Sequence, residues 1–100
     1  MKDENFLKAN NARTLWHPMA SPTQSRTTPP AILVDGTGAR LTDIDGHEVV
    51  DGTAGMWNVN LGYSCEPVKA AIAKQLNRLS YYSIFGGTSN DAIIELSEEL

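Results

Sequence analysis

"AILVDGTGARLTDIDGHEVVDGTAGMWNVNLGYS", Ala31 to Ser64, begins as a sheet and ends as something else. Its first half holds three short β-rich runs, 31–34, 39–44 and 47–50, separated by the pairs Asp35-Gly36 and Asp45-Gly46. Asp-Gly readily takes the positive φ angles of tight turns, so the spacing predicts a three-stranded antiparallel meander turning at those pairs. From Asp51 the pattern changes. Gly52, Gly55 and Gly62 alternate with Met56, Trp57 and Tyr63 in neither a strand nor a helix period. With Gly55 before it and the polar Asn58 and Asn60 after it, Trp57 is placed on an irregular wall, as in small-molecule pockets, and not in a regular core.

On the C-terminal side, Glu66 to Leu79 reads as an amphipathic helix with Val68, Ile72, Leu76 and Leu79 on one face. Ser64 is its expected N-cap, Pro67 suits its first turn, and Arg78 suits its negative end. "SYYSIFGGTSN" interrupts the pattern, and a second helix starts from Ser89 or Asn90 with Ile93, Leu96 and Leu100 on one face. On the N-terminal side, residues 3–14 make a weak, surface-lying helix. "LWHPMASPTQSRTTPP", with Pro18, Pro22, Pro29 and Pro30, reads as an extended arm, because each proline lacks an N–H and pushes its predecessor toward extended backbone. The pattern stops in mid-helix at Leu100, after Glu98 and Glu99, which oppose the helix dipole. With more apolar faces than the chain can cover, the expectation is a piece of a larger protein.

Composition narrows the partners. The 100 residues carry eight Lys and Arg against twelve Asp and Glu, a net charge of −4, with the basic residues scattered. A nucleic-acid or anionic-membrane partner needs a basic face, which is missing. The longest apolar stretch, Ala31 to Val34, is far too short to span a bilayer, and residues 1–20 lack the apolar core of a secretory signal. The single Cys65 cannot form an internal disulfide and fits a reducing compartment. The cytoplasm is the expected location.

Most catalytic patterns are absent. His17, His47 and Cys65 fall in unrelated segments without zinc-like spacing, so no metal site is expected. There is no Gly-x-Ser-x-Gly elbow and no Cys–His signature. Asp43 and Asp45 lie beside a turn and read as turn residues. "IFGGTSN" places two glycines before a helix start, where free N–H groups can meet an anion, although the P-loop lysine is missing and a flexible joint is the blander reading.

Asp43, Asp45, Gly46, Val50, Asp51, Gly52, Ala54, Gly55, Met56, Trp57, Gly62 and Tyr63 together resemble the N-terminal part of class III aminotransferases, of the ω-amino acid or amine:pyruvate kind. The likeness runs from about Leu15 to Leu100 and is nearest to the taurine:pyruvate and β-alanine:pyruvate group. It implies an α/β fold-type I transferase dependent on pyridoxal 5′-phosphate, of which this α+β segment supplies 1–30 as helix and arm, 31–80 as small-domain meander, loop and helix, and 81–100 as interface loop and truncated helix, with the large domain absent. By the same resemblance Met56 and Trp57 wall the active site and Met19 lines the mouth of the substrate pocket. Ser83, Ile84, Phe85, Gly86 and Gly87 cross to the partner subunit of a homodimer, near its cofactor phosphate. Ile84 and Gly87 depart from many relatives. The reaction implied moves an amino group from an amine or ω-amino acid to pyruvate or another 2-oxo acid, through a lysine that holds the cofactor aldehyde. None of Lys2, Lys8, Lys69 and Lys74 matches that lysine, so no catalytic residue is assigned and the segment alone is expected to be inactive. Two other readings stay open: a truncated paralogue serving as a non-catalytic interaction module, and another class III enzyme, a mutase or decarboxylase.

Overall fold

The computed structural model describes residues 3–100. The chain forms two compact units, one ending at Ser64 and the other running from Cys65 to Leu100.

In the first unit, α1 (Glu4–Arg13) starts where the Asp3 carboxylate accepts the Phe6 N–H at 2.8 Å, and ends with Arg13 in its last turn. The four prolines of the following segment predict an extended arm, but it is not extended throughout. It contains a six-residue helix, α2 (Pro22–Thr27), because Ser21 accepts the Gln24 N–H at 3.1 Å and Pro22 sits in the first turn. A proline there gives up an N–H that would be unpaired anyway. Among the described residues only Ser25 of α2 is buried, and no large apolar side chain is.

The predicted meander is present: β1 (Leu33–Thr37), β2 (Arg40–Asp43) and β3 (Glu48–Val50) pair antiparallel in that order. The second turn uses Asp45-Gly46 as expected, with Gly46 at φ 85°. The first does not use Asp35-Gly36. Those residues lie inside β1, beside a register shift, and the turn is Gly38-Ala39 between the paired Thr37 and Arg40. Gly38 takes φ 57°, as a two-residue hairpin with glycine first requires. Gly36 serves a different need: a Cβ there would stand 2.9 Å from Cγ of Tyr63, whose ring lies against the strand.

α1 approaches the sheet through polar contacts. Lys8 pairs with Asp45 of the second turn and with Glu4 at 2.5 Å, which together raise the lysine pKa, and Asn11 Nδ2 donates to the Pro30 carbonyl at 2.8 Å. Below α1 a cavity of about 390 Å³ is lined by Lys8, Asn11, Ile32 and the 43–45 turn, among others.

The second unit contains α4 (Glu66–Arg78) and α5 (Asp91–Glu99), both near their predicted bounds. The expected cap of α4 is not made. Cys65 holds the N-cap position with no side-chain hydrogen bond, while the Ser64 hydroxyl accepts the Gly38 N–H at 2.9 Å. α5 is capped by Asn90, which accepts the Ile93 N–H at 3.1 Å. Arg78 pairs with Asp91 across the intervening loop and lowers the Asp91 pKa. Val68, Ile72, Leu76, Ile93 and Leu96 all remain exposed.

Candidate functional site

The loop from Asp51 to Ser64 leaves the sheet and returns to it at one place. The Asp51 N–H donates to the Ala39 carbonyl at 2.9 Å, and the Tyr63 N–H donates to the Gly38 carbonyl at 2.8 Å. Both ends are therefore tied to the first hairpin turn, closing a compact loop of the kind that often carries function. Between them and that turn lies a cavity of about 210 Å³ lined by Asp51, Ala54, Val59 and Tyr63, among others.

Inside the loop, α3 (Ala54–Trp57) is a single turn of the wrong hand. Its four residues have φ of 50, 58, 57 and 70°. Trp57 N–H still reaches the Thr53 carbonyl and Asn58 N–H the Ala54 carbonyl, each at 2.9 Å, so the turn is helical but left-handed. Glycine tolerates this conformation. Ala54, Met56 and Trp57 do so at about 1–2 kcal/mol apiece, because their Cβ atoms crowd the following carbonyl. Strain of that size persists only where the surroundings over-determine it, and such places cluster at functional sites.

Two side chains impose the turn. Asp51 Oδ1 accepts the Thr53 N–H and hydroxyl, each at 2.9 Å; Oδ2 accepts the Gly55 N–H at 2.6 Å and the Tyr63 hydroxyl at 2.5 Å. The Tyr63 hydroxyl, then the Thr53 N–H, do most to hold the Asp51 carboxyl at a pKa of about 2, and the carboxylate in turn raises that of Tyr63. At the other end, Asn58 Nδ2 donates to the carbonyls of Gly55 and Met56, both at 3.1 Å. The product is an apolar platform without a core behind it: Met56 is 67% exposed and Trp57 78%.

The other sequence-derived site residues lie elsewhere. Met19, also left-handed at φ 60°, stands fully exposed in the turn before α2. Ser83 to Gly87 belong to the second unit. There Ser83 Oγ accepts the Phe85 N–H at 3.1 Å, its carbonyl accepts the Thr88 hydroxyl at 2.7 Å, and Phe85 is almost fully exposed. Gly86 and Gly87 have φ of 82 and 94° with open space where a Cβ would stand. The start of α5 is a poorer anion site than its sequence promises, because Asn90 and Asp91 already accept its N–H groups at Ile93 and Ala92.

The structure also gathers Asp43, Asp45 and His47, whose ligand atoms lie within 4.8 Å of one another, although their spacing is not that of a zinc site. These groups build the turn. Asp43 Oδ1 accepts the N–H groups of Asp45 and His47, its Oδ2 meets His47 Nδ1 at 3.0 Å, and Asp45 faces Lys8. The His47 N–H above all lowers the Asp43 pKa.

The class-III aminotransferase family model matches residues 21–100. The chain belongs to the class-III aminotransferase family. It is similar to a taurine–pyruvate aminotransferase of Bilophila wadsworthia, 37% identical over 99 residues, covering 98% of this chain and 21% of that protein. Among solved structures, it is similar to an (S)-enantioselective omega-transaminase from Thermomicrobium roseum, with a TM-score of 0.88, 31% identity, and coverage of 98% of this chain and 22% of that one. An omega transaminase from Pseudomonas jessenii in complex with PMP gives a TM-score of 0.86 and 28% identity, covering 93% of this chain and 20% of that one. The chain spans about a fifth of the length of these class-III relatives. No helix among the described residues is long and apolar enough to cross a membrane.

Class-III aminotransferases use pyridoxal phosphate. In the first unit Met56 and Trp57 offer an exposed apolar surface of the kind a cofactor ring or substrate chain can pack on. In the second unit, taken by itself, Gly86 and Gly87 have open space beside their backbone. Among the described residues, Lys8 pairs with Asp45 and Glu4, Lys69 pairs with Glu66, and Lys74 is exposed on α4; Lys2 lies outside the described residues. Neither Asp51 nor Tyr63 carries a chemical role in the sequence patterns. The signal for Asp51 was an acid ahead of Thr53 and Gly55 in a stretch without strand or helix period, where a carboxylate serves best as a local N–H acceptor.

Proposed function

We propose that this chain works as part of a pyridoxal-phosphate-dependent aminotransferase that transfers an amino group from an amine or ω-amino acid, of taurine or β-alanine type, to pyruvate or another 2-oxo acid. The observation that carries this reading is the left-handed turn, which lifts two large apolar side chains into the open. The taurine–pyruvate relatives support the substrate class.

In this reading Met56 and Trp57 form the substrate wall, with Met19 at its mouth. An apolar wall packs against the carbon skeleton of the amine and excludes water from the reacting end. The loop from Ser83 to Gly87, with Ile84 and Phe85 as its apolar tip, meets the partner subunit in a homodimer, where the N–H groups of Gly86 and Gly87 donate to the cofactor phosphate. Bound pyridoxal phosphate supplies the electron sink for amino transfer. Residues 1–30 serve as helix and arm, 31–80 as small domain, and 81–100 as interface loop and helix, in a cytoplasmic enzyme whose aldehyde-holding lysine comes from outside this segment.

The test compares purified residues 1–100 with the full-length protein. The full-length protein should bind the cofactor, absorb at roughly 330–420 nm as bound pyridoxal species do, and form alanine from pyruvate with taurine or β-alanine as donor. Residues 1–100 should do none of these. Stoichiometric cofactor binding by the short chain would overturn the division of labour, and absence of amino transfer by the long one would overturn the function.

A further inference from the structure

The ties of the 51–63 loop to the first hairpin fix its ends and leave the hand of its middle undetermined. Two side chains reach that middle, Asn58 at its far end and, at its start, Asp51. All four groups that reach its carboxylate are donors, two from Thr53, one from Gly55 within the turn and one from Tyr63. An ionised carboxyl can accept from all four, whereas an amide would face two of them with an N–H. Tyr63 is fixed in turn, because its ring lies on β1 at Gly36, where any Cβ would collide with it. A line of contact therefore runs from β1 through Tyr63 to Asp51, then to Gly55, and ends at Met56 and Trp57. Reversing the hand of this turn would send both side chains elsewhere, since the direction of each Cβ follows the backbone twist.

We propose that Asp51 and Tyr63 are positioning residues that set where Met56 and Trp57 meet the carbon skeleton of the amine, and thereby its permitted size, without touching it. This inference rests on the reading of Met56 and Trp57 as the substrate wall.

The test uses the full-length protein loaded with pyridoxal phosphate and labelled with 5-fluorotryptophan, the Trp57 resonance being assigned by its loss in Trp57→Phe. Tyr63→Phe deletes one donor and keeps the ring, so it should leave cofactor absorbance unchanged while shifting the Trp57 resonance. It should also change the ratio of kcat/KM between a bulky and a small amine by about tenfold, within the hundredfold that a ~1 Å misplacement can cause. Asp51→Asn should do the same more strongly, and Tyr63→Phe decides alone if that variant does not fold. An unmoved Trp57 resonance in Tyr63→Phe overturns the clamp. A moved resonance with equal losses for both amines overturns the selectivity. A wild-type protein that transfers no amino group overturns the aminotransferase reading and the selectivity with it, while the fluorine shift still decides the clamp.

Discussion

Gly62→Ala should loosen the 51–63 loop more than Gly38→Ala or Gly52→Ala. Gly62 has φ 83°, and an added Cβ would stand 2.9 Å from the Gly38 carbonyl oxygen and 3.3 Å from its carbon. Left-handed backbone costs alanine about 1–2 kcal/mol. The collision is with backbone, which cannot rotate away, so the carbonyl must retreat from the Tyr63 N–H it accepts, at about 1 kcal/mol more. The sum, about 2–3 kcal/mol, corresponds to a roughly 30- to 160-fold rise in local opening at ~1.36 kcal/mol per tenfold. Amide hydrogen exchange at Tyr63 reads that opening. Two comparisons isolate the contributions. Gly38→Ala carries the backbone strain at φ 57° with nothing within 4 Å, and Gly52→Ala carries neither strain nor contact. The expected order of exchange is therefore Gly62→Ala fastest, Gly38→Ala intermediate, Gly52→Ala unchanged. Equal effects at Gly62 and Gly38 would refute the close approach.

Other outcomes follow from the same contacts. The Asp51 pKa is lowered on folding from 3.8 to about 2, so its contribution to stability is complete above 3.8 and is lost as pH falls through about 2. A carbon-13 titration of its carboxyl should show the low midpoint, and Tyr63→Phe should move that midpoint back up. Ser64→Ala should speed exchange at the Gly38 N–H and leave α4 unchanged, because Ser64 does not cap that helix; fraying of α4 would contradict this. Asn90→Ala should weaken the first turn of α5 by about 1 kcal/mol, visible as faster exchange at the Ile93 N–H.

The elements most legible in the sequence are those fixed by neighbours in the chain. The helical spacing of Val68, Ile72 and Leu76 defines α4, and Asp45-Gly46 defines the turn between β2 and β3. The sequence is least legible where a distant residue decides. Asp35-Gly36 has the better local turn chemistry, but the ring of Tyr63 claims Gly36 and shifts the turn to Gly38-Ala39. Ser64 has the right chemistry for a cap and spends it on Gly38. In the proline-rich segment, four breakers concealed the local cue of Ser21 and Pro22 that starts α2. At the candidate site, Trp57 stood out through its irregular setting. The Asp51 carboxylate beside its turn also accepts a hydrogen bond from Tyr63, twelve residues further on, and no periodicity encodes that.

The handedness of α3 bears on how such a site can evolve. Enlarging a binding pocket ordinarily sacrifices stability, since a large side chain is removed from a well-packed place. Here the large side chain sits on backbone that suits glycine better. Trp57→Gly relieves about 1–2 kcal/mol of left-handed strain, against about 0.5–1 kcal/mol of added chain entropy. Ala54 and Met56 stand under the same rule. Replacing Trp57 by glycine therefore costs this loop little stability.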